Sequence, residues 1–159
     1  MKHLLGLNSP QKEAVLQTNG PILIVAGAGA GKTKTITHRI LNLIKNGVAP
    51  HSILAITFTN KSAKEMKERV EKLLDSDHDL NLPVSMSERP FVSTFHALGV
   101  HILKENATTV GILRHFNIFD KSDSKKSIKE ATTEAQLDPK QFDAGIVQNI
   151  ISRNKGDFV

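Results

Sequence analysis

Residues Ile22 to Thr33 read ILIVAGAGAGKT, and this stretch limits the fold more than any other. Ile22–Ala26 are apolar or small and have the composition of a buried strand. A glycine-rich turn follows, then Lys32-Thr33, then apolar residues at helical spacing. Strand, loop and helix in that order are the setting of a phosphate-binding loop. Gly27, Gly29 and Gly31 lack a Cβ, so the backbone can take φ > 0 and bring N–H groups close to an anion. A helix opening at Gly31 aims its unpaired N–H groups at the same spot. Lys32 adds positive charge for the β- and γ-phosphates, and the Thr33 hydroxyl can ligate Mg²⁺. The strict pattern G-x-x-x-x-G-K-[ST] asks for glycine where the chain has Ala26. The inner glycines are the ones near phosphate, so the mechanism survives. The plain alternative is a flexible Ala/Gly loop that happens to precede Lys-Thr, and the flanking strand and helix patterns weigh against it.

The chain of 159 residues has the length of one compact domain and enough apolar residues for a core. It has no Cys, hence no disulfide framework and no thiolate metal site, which is compatible with a reducing cytoplasm. No run approaches membrane-spanning length, and the apolar patch near the N-terminus is too short for a signal peptide. Charge is uneven. Residues 1–74 hold eleven Lys/Arg against four Asp/Glu, whereas residues 75–159 hold ten against twelve. The basic half contains the glycine loop. Nucleotide phosphate accounts for part of that surplus, and a polyanionic partner would account for more.

Upstream of the loop, Leu7-Asn8-Ser9-Pro10-Gln11 reads as a helix start, with Asn8 or Ser9 as cap and Pro10 in the first turn. Gln11 carries the donor and acceptor that reading an adenine edge requires, although a glutamine in a first turn is more often simply solvated. Asn19-Gly20-Pro21 ends that helix. After Thr33, Ile36, Ile40, Leu43 and Ile44 mark the inner face of a helix stopped by Asn46-Gly47, with Lys34, His38 and Arg39 off that face and His38 expected to be exposed. Ile53–Thr59 is a second strand, apolar enough to be covered on both faces of a parallel sheet. Thr59, Asn60, Lys61 and Ser62 sit at its carboxyl end, where ligands gather in open α/β sheets. They can hold a phosphate backbone, and Phe58 can offer a ring to an unstacked base. A capping Thr and a core Phe explain the same residues taken singly. The next helix, from Ala63 to Leu74, is expected to bury Ala63, Met66, Val70 and Leu73.

Asp75–Pro90 reads as a polar loop with an apolar interruption at Leu80–Val84. Phe91–Thr94 is a short third strand, and Phe95–Glu105 a helix with Phe95, Leu98, Ile102 and Leu103 inward. Thr94, Phe95 and His96 again fall at a strand end and suit phosphate or sugar contact, or equally a cap with a half-buried His. From Asn106 no strand is evident. A polar helix capped by Asp120, Ser122 or Asp123 and another starting at Asp138-Pro139, carrying Phe142, Ile146, Ile150 and Ile151, read as a small helical subdomain. P-loop ATPases need a second acidic site on an apolar strand. Ile118-Phe119-Asp120 comes nearest, and a helix-capping Asp120 is its better reading.

Taken together, these motifs resemble the N-terminal part of UvrD/Rep/PcrA-type superfamily 1 DNA helicases over nearly the whole chain. Leu7–Gln11 looks like the family's Q motif, and Ala26–Thr33 its first helicase motif, in which Ala at the first position is accepted. Ile56–Lys61 with Ala63 resembles motif Ia, and Ser93–His96 resembles motif Ib. The resemblance implies an α/β fold: a P-loop NTPase, RecA-like, parallel sheet flanked by helices, incomplete here, with a small helical subdomain. It implies a partial ATP-binding domain 1A over residues 1–105 and part of the helical subdomain 1B over residues 106–159. It also implies the cofactors ATP and Mg²⁺. Gln11, Ala26, Gly27, Ala28, Gly29, Ala30, Gly31, Lys32, Thr33 and Lys34 would then bind ATP, with Lys32 and Thr33 catalytic and Thr33 on the metal. Phe58, Thr59, Asn60, Lys61, Thr94, Phe95 and His96 would bind DNA. The implied activity is ATP-driven translocation on single-stranded DNA, 3′ to 5′, with duplex junctions as substrates, no membrane partner and a cytoplasmic location. The family's Asp-Glu motif and later arginines are expected beyond Val159, so the chain alone is expected to lack ATPase activity. The rivals are a stand-alone nucleotide- and DNA-binding module and a P-loop nucleotide kinase. The kinase has no need of the Gln11 element or of Thr57–Lys61.

Overall fold

The structure, a computed structural model, describes residues 2–77 and 89–157. The expected apolar interruption at Leu80–Val84 lies outside the described residues. The chain divides into two compact units, Met1–Asn106 and Ala107–Val159.

Unit 1 contains a 3₁₀ turn at Lys2–Leu4, then α1 (Ser9–Leu16) and α2 (Lys32–Lys45). A second 3₁₀ turn at Pro50–Ser52 leads to β1 (Leu54–Thr57), α3 (Asn60–Asp75), β2 (Phe91–Thr94) and α4 (Phe95–Glu105). β1 and β2 pair in parallel, with Leu54 opposite Phe91 and Thr57 opposite Thr94. A parallel pair needs a crossover, and α3 lies between the two strands in sequence. The helix ends follow local chemistry. Asn8 caps α1 through a capping box with Gln11, Thr59 caps α3 by accepting from the Ser62 amide, and Thr94 caps α4 by accepting from that of Ala97.

The core lies between α2, α3 and β1. It comprises Ile40, Leu41, Ile44, Ala55, Met66, Val70 and Leu74, with Ile53, Leu73 and Val92 packed against it. The α3 residues recur every three or four positions, the stripe of an amphipathic helix. Burying a side chain such as Leu41, 2% exposed, contributes about 1.5–3 kcal/mol.

Several expectations are corrected, beginning with Ile36, which is exposed on α2 where an inner-face position was expected. Ile22–Ala26 is not a strand: Leu23 and Val25 are each 87% exposed, and no strand of the described residues pairs with the segment. Apolar composition favours an extended backbone, but a strand exists only where a neighbour takes its hydrogen bonds. The second strand is shorter than Ile53–Thr59, because Thr59 turns out of the ladder to cap α3. No residue of α4 is buried, and Phe95, Ile102 and Leu103 are exposed, since no further layer of the described residues covers that helix. His38 is buried rather than exposed, and its Nδ1 lies 2.6 Å from the His3 carbonyl, to which it donates.

Unit 2 is built on α5 (Lys121–Glu134) and α6 (Ala144–Gly156), which pack together. Asp120 caps α5 in a capping box with Asp123, as its sequence position suggested. The last helix begins later than Asp138-Pro139. Asp138 to Phe142 form a turn closed by Phe142 N donating to Asp138 O at 2.9 Å, and Asp143 caps α6 through the amides of Gly145 and Ile146. Ile146, Ile150 and Ile151 remain exposed.

Candidate functional site

Two of the three loop glycines take the left-handed backbone that the sequence allows, and Gly27 does not. Gly29 has φ +75° and Gly31, the N-cap of α2, has φ +84°, conformations that cost a side-chain-bearing residue strain. Within the turn Ala30 N donates to Gly27 O at 3.3 Å. Thr35 N donates to Gly31 O at 2.9 Å and opens the helical ladder. The amides of Lys32, Thr33 and Lys34 precede that first bond, so they form the unpaired positive end of α2. The loop is exposed, and so is Lys32. The Lys32 ammonium folds back over the turn, donating to Ala26 O at 2.9 Å and Gly27 O at 2.7 Å. Ammonium and open amides therefore converge on one exposed bend, an arrangement suited to an anion with several oxygens.

Gln11 stands directly against this bend. Its Nε2 donates to Ala30 O at 3.0 Å, and its Oε1 accepts from Asn8 N at 3.1 Å. A Cβ on Gly31 would lie 2.7 Å from that Nε2 and would push the Gln11 amide aside, while its φ of +84° is what calls for glycine. A cavity of about 270 Å³ opens at this junction, lined among others by Gln11, Ile24, Ala26, Ala30 and Lys32. Lys34 is engaged elsewhere, its ammonium donating to Gly6 O at 2.7 Å. Thr33 is half-buried in the first turn of α2. Among the described residues no three His, Asp or Glu side chains cluster closely enough to hold a metal ion.

The second cluster forms where β1 and β2 end. Because the strands are parallel and in register, Thr57–Lys61 and Thr94–His96 emerge at the same rim. Phe58 is 89% exposed and Phe95 56% exposed, and their ring centroids stand 5.5 Å apart at 45°. Two neighbouring rings in water are unfavourable as core packing and suited to stacking on a planar ligand. Asn60, Lys61 and His96 are exposed around them. The Thr59 and Thr94 hydroxyls are taken up by helix capping, with Thr94 buried. A cavity of about 460 Å³ beside Lys67, Phe91 and His101 shares no residue with either cluster.

Sequence reasoning missed the pairing of Phe58 with Phe95, which requires the strand register. It also missed the polar face of α2 that holds the N-terminal segment. Asn42 is 3% exposed, and its Nδ2 donates to Val15 O at 3.0 Å. An asparagine set between Leu41 and Leu43 in an apolar stripe was the available signal.

The two clusters belong to a mixed α/β domain with a glycine loop at the start of α2 and an aromatic rim at the strand ends. The chain belongs to the UvrD/REP helicase N-terminal domain family, which it matches over residues 7–159. It is 46% identical over 156 residues to the ATP-dependent DNA helicase PcrA of Bacillus subtilis, covering 98% of this chain and 20% of that protein. To the PcrA helicase of Leuconostoc citreum it is 43% identical over 155 residues, covering 97% and 20%. The PcrA helicase of Staphylococcus aureus gives 43% over 153 residues, covering 96% and 20%. The chain thus spans about 20% of the length of the curated relatives it matches. No helix among the described residues is long and apolar enough to cross a membrane.

Proposed function

We propose that this chain is the ATP- and DNA-binding N-terminal part of an ATP-dependent DNA helicase that moves along single-stranded DNA and acts at duplex junctions in the cytoplasm. The observation that carries the proposal is the bend at Gly29–Gly31, where Lys32 rests on two loop carbonyls beside open helix amides. A triphosphate offers that ammonium and those amides better partners than the carbonyls do. In this reading Ala26–Thr33 would hold the β- and γ-phosphates, Gln11 would read the adenine edge, and the Thr33 hydroxyl would help hold Mg²⁺, whose charge would offset that of the phosphates. Hydrolysis of bound ATP supplies the free energy for movement. Phe58 and Phe95 stack on unpaired bases, while Asn60, Lys61 and His96 grip the strand. Unit 1 is then a RecA-like domain 1A in part, and unit 2 part of subdomain 1B.

Hydrolysis also needs a carboxylate to hold Mg²⁺ and orient water. The sequence offers no apolar strand ending in Asp or Asp-Glu for that role, Ile118-Phe119-Asp120 being better read as a helix cap. In this reading residues 1–159 by themselves bind nucleotide and DNA without turning over. The test is an ATPase assay on this chain with and without single-stranded DNA, beside a fluorescent ATP-analogue titration. Saturable analogue binding with no stimulated turnover is expected. DNA-stimulated turnover abolished by Lys32→Ala would overturn the binding-only reading, and failure to bind the analogue would overturn the nucleotide site.

A further inference from the structure

α1 is too short to be stable alone, and it buries little: only Ala14 and Val15 are buried among its eight residues. What holds it is a row of polar side chains on α2. The Arg39 guanidinium donates from one nitrogen to Ala14 O at 2.7 Å and also to Gln17 O. Asn42 Nδ2 donates to Val15 O, and Asn42 Oδ1 faces His3 Nε2 at 3.0 Å. Ala14 and Val15 lie in the last turn of α1 and Gln17 is its C-cap, so these carbonyls have no partner within the helix. A guanidinium is favoured there by the negative end of the helix as well. The helix that starts at the phosphate loop thus caps the far end of the helix that carries Gln11, and Gln11 returns to the loop through Ala30 O. The connection is a closed ring.

That ring fixes which way the Gln11 amide faces. Turned over, it would set an N–H against the Asn8 N–H and an oxygen against the Ala30 carbonyl. In the observed sense one N–H of Nε2 and one lone pair of Oε1 are left over. They complement adenine, which offers the N6 donor and the N7 acceptor, and not guanine, which offers two acceptors on the same edge. We infer that Arg39 is a positioning residue for base selection: by capping α1 it holds the Gln11 amide in the one orientation that separates adenine from guanine. The inference rests on Gln11 reading the base, as proposed above.

The experiment is a competition titration on the full 159-residue chain with ATP, GTP and inorganic tripolyphosphate. Wild type favours ATP over GTP. Arg39→Ala lowers the ATP-to-GTP affinity ratio by about tenfold, the scale of one or two lost hydrogen bonds, and leaves tripolyphosphate affinity unchanged. Arg39→Lys restores most of the ratio, because an ammonium can still cap the α1 carbonyls. Should Arg39→Ala not fold, Arg39→Gln, which keeps an N–H donor without the charge or the reach, carries the same test. An Arg39→Ala chain, or Arg39→Gln in its place, that keeps the wild-type ratio overturns the inference. So does one that loses tripolyphosphate in equal measure, since that marks a role in holding the loop alone. A wild type indifferent between ATP and GTP is a separate result, and it sinks the reading of Gln11 itself.

Discussion

Leu54–Thr57 and Ile22–Ala26 are similar on paper, each a short run of mostly apolar or small residues beside a helix. Leu54–Thr57 pairs with Phe91–Thr94 and sets Ala55 into the core of α2 and α3. Ile22–Ala26 has no ladder partner among the described residues, and Leu23 and Val25 stand in water. The difference is context. Strand pairing and burial are properties of two segments at once, so apolar composition makes a segment eligible and a neighbour makes it a strand. The two candidate clusters follow the same division. The aromatic rim sits on the paired strands, and the glycine loop hangs between the unpaired segment and α2.

Four substitutions test this contrast. The largest effect is expected on the paired side. Leu41→Ala should cost about 2–5 kcal/mol in urea unfolding, as a buried leucine truncated in a packed core does. A loss under about 1 kcal/mol would mean the α2–α3–β1 core is not close-packed. Next comes the loop beyond the unpaired segment. Lys32→Ala should weaken tripolyphosphate binding by about 1.5–3 kcal/mol, the range for a hydrogen bond to a charged group, with the unfolding midpoint nearly unchanged. Unaltered affinity in that titration would remove Lys32 from the site. At the rim, Phe58→Ala should weaken single-stranded DNA binding by about 1–3 kcal/mol, and the wild-type affinity should fall steeply as salt rises. DNA affinity indifferent both to the ring and to salt would leave the rim without its proposed partner. The smallest effect is expected at Leu23→Ser, within about 0.5 kcal/mol of wild type in unfolding, because the side chain is already hydrated. A cost as large as that of Leu41→Ala would show that Leu23 is covered in solution and erase the contrast.

Much of the fold was legible because it is local. Phe91–Thr94 and Phe95–Glu105 match their expected bounds, and the caps at Asn8, Thr59, Thr94 and Asp120 all fall among residues whose side chains can reach an N–H three positions on. The apolar stripe of α3 was legible to within one residue, Leu74 being buried where Leu73 was expected and Leu73 packing at its edge. The inward face of α4 was misread, since helical spacing shows which residues share a face and says nothing about whether another layer covers it. Asp143 displaced Asp138 as the last cap because two competent caps lay five residues apart, and periodicity alone does not rank them.

By itself the sequence determined the glycine loop, the helix that follows it, the capping chemistry and the candidate residues Gln11, Lys32 and Thr33, since each rests on torsional freedom or on side chains a few positions apart. Only the tertiary structure decided that Ile22–Ala26 stays unpaired, that Phe58 meets Phe95, and that Arg39 and Asn42 turn away from water to cap α1. Those outcomes depend on segments distant along the chain competing for the same hydrogen bonds and the same apolar surface, and no local pattern records which of them wins.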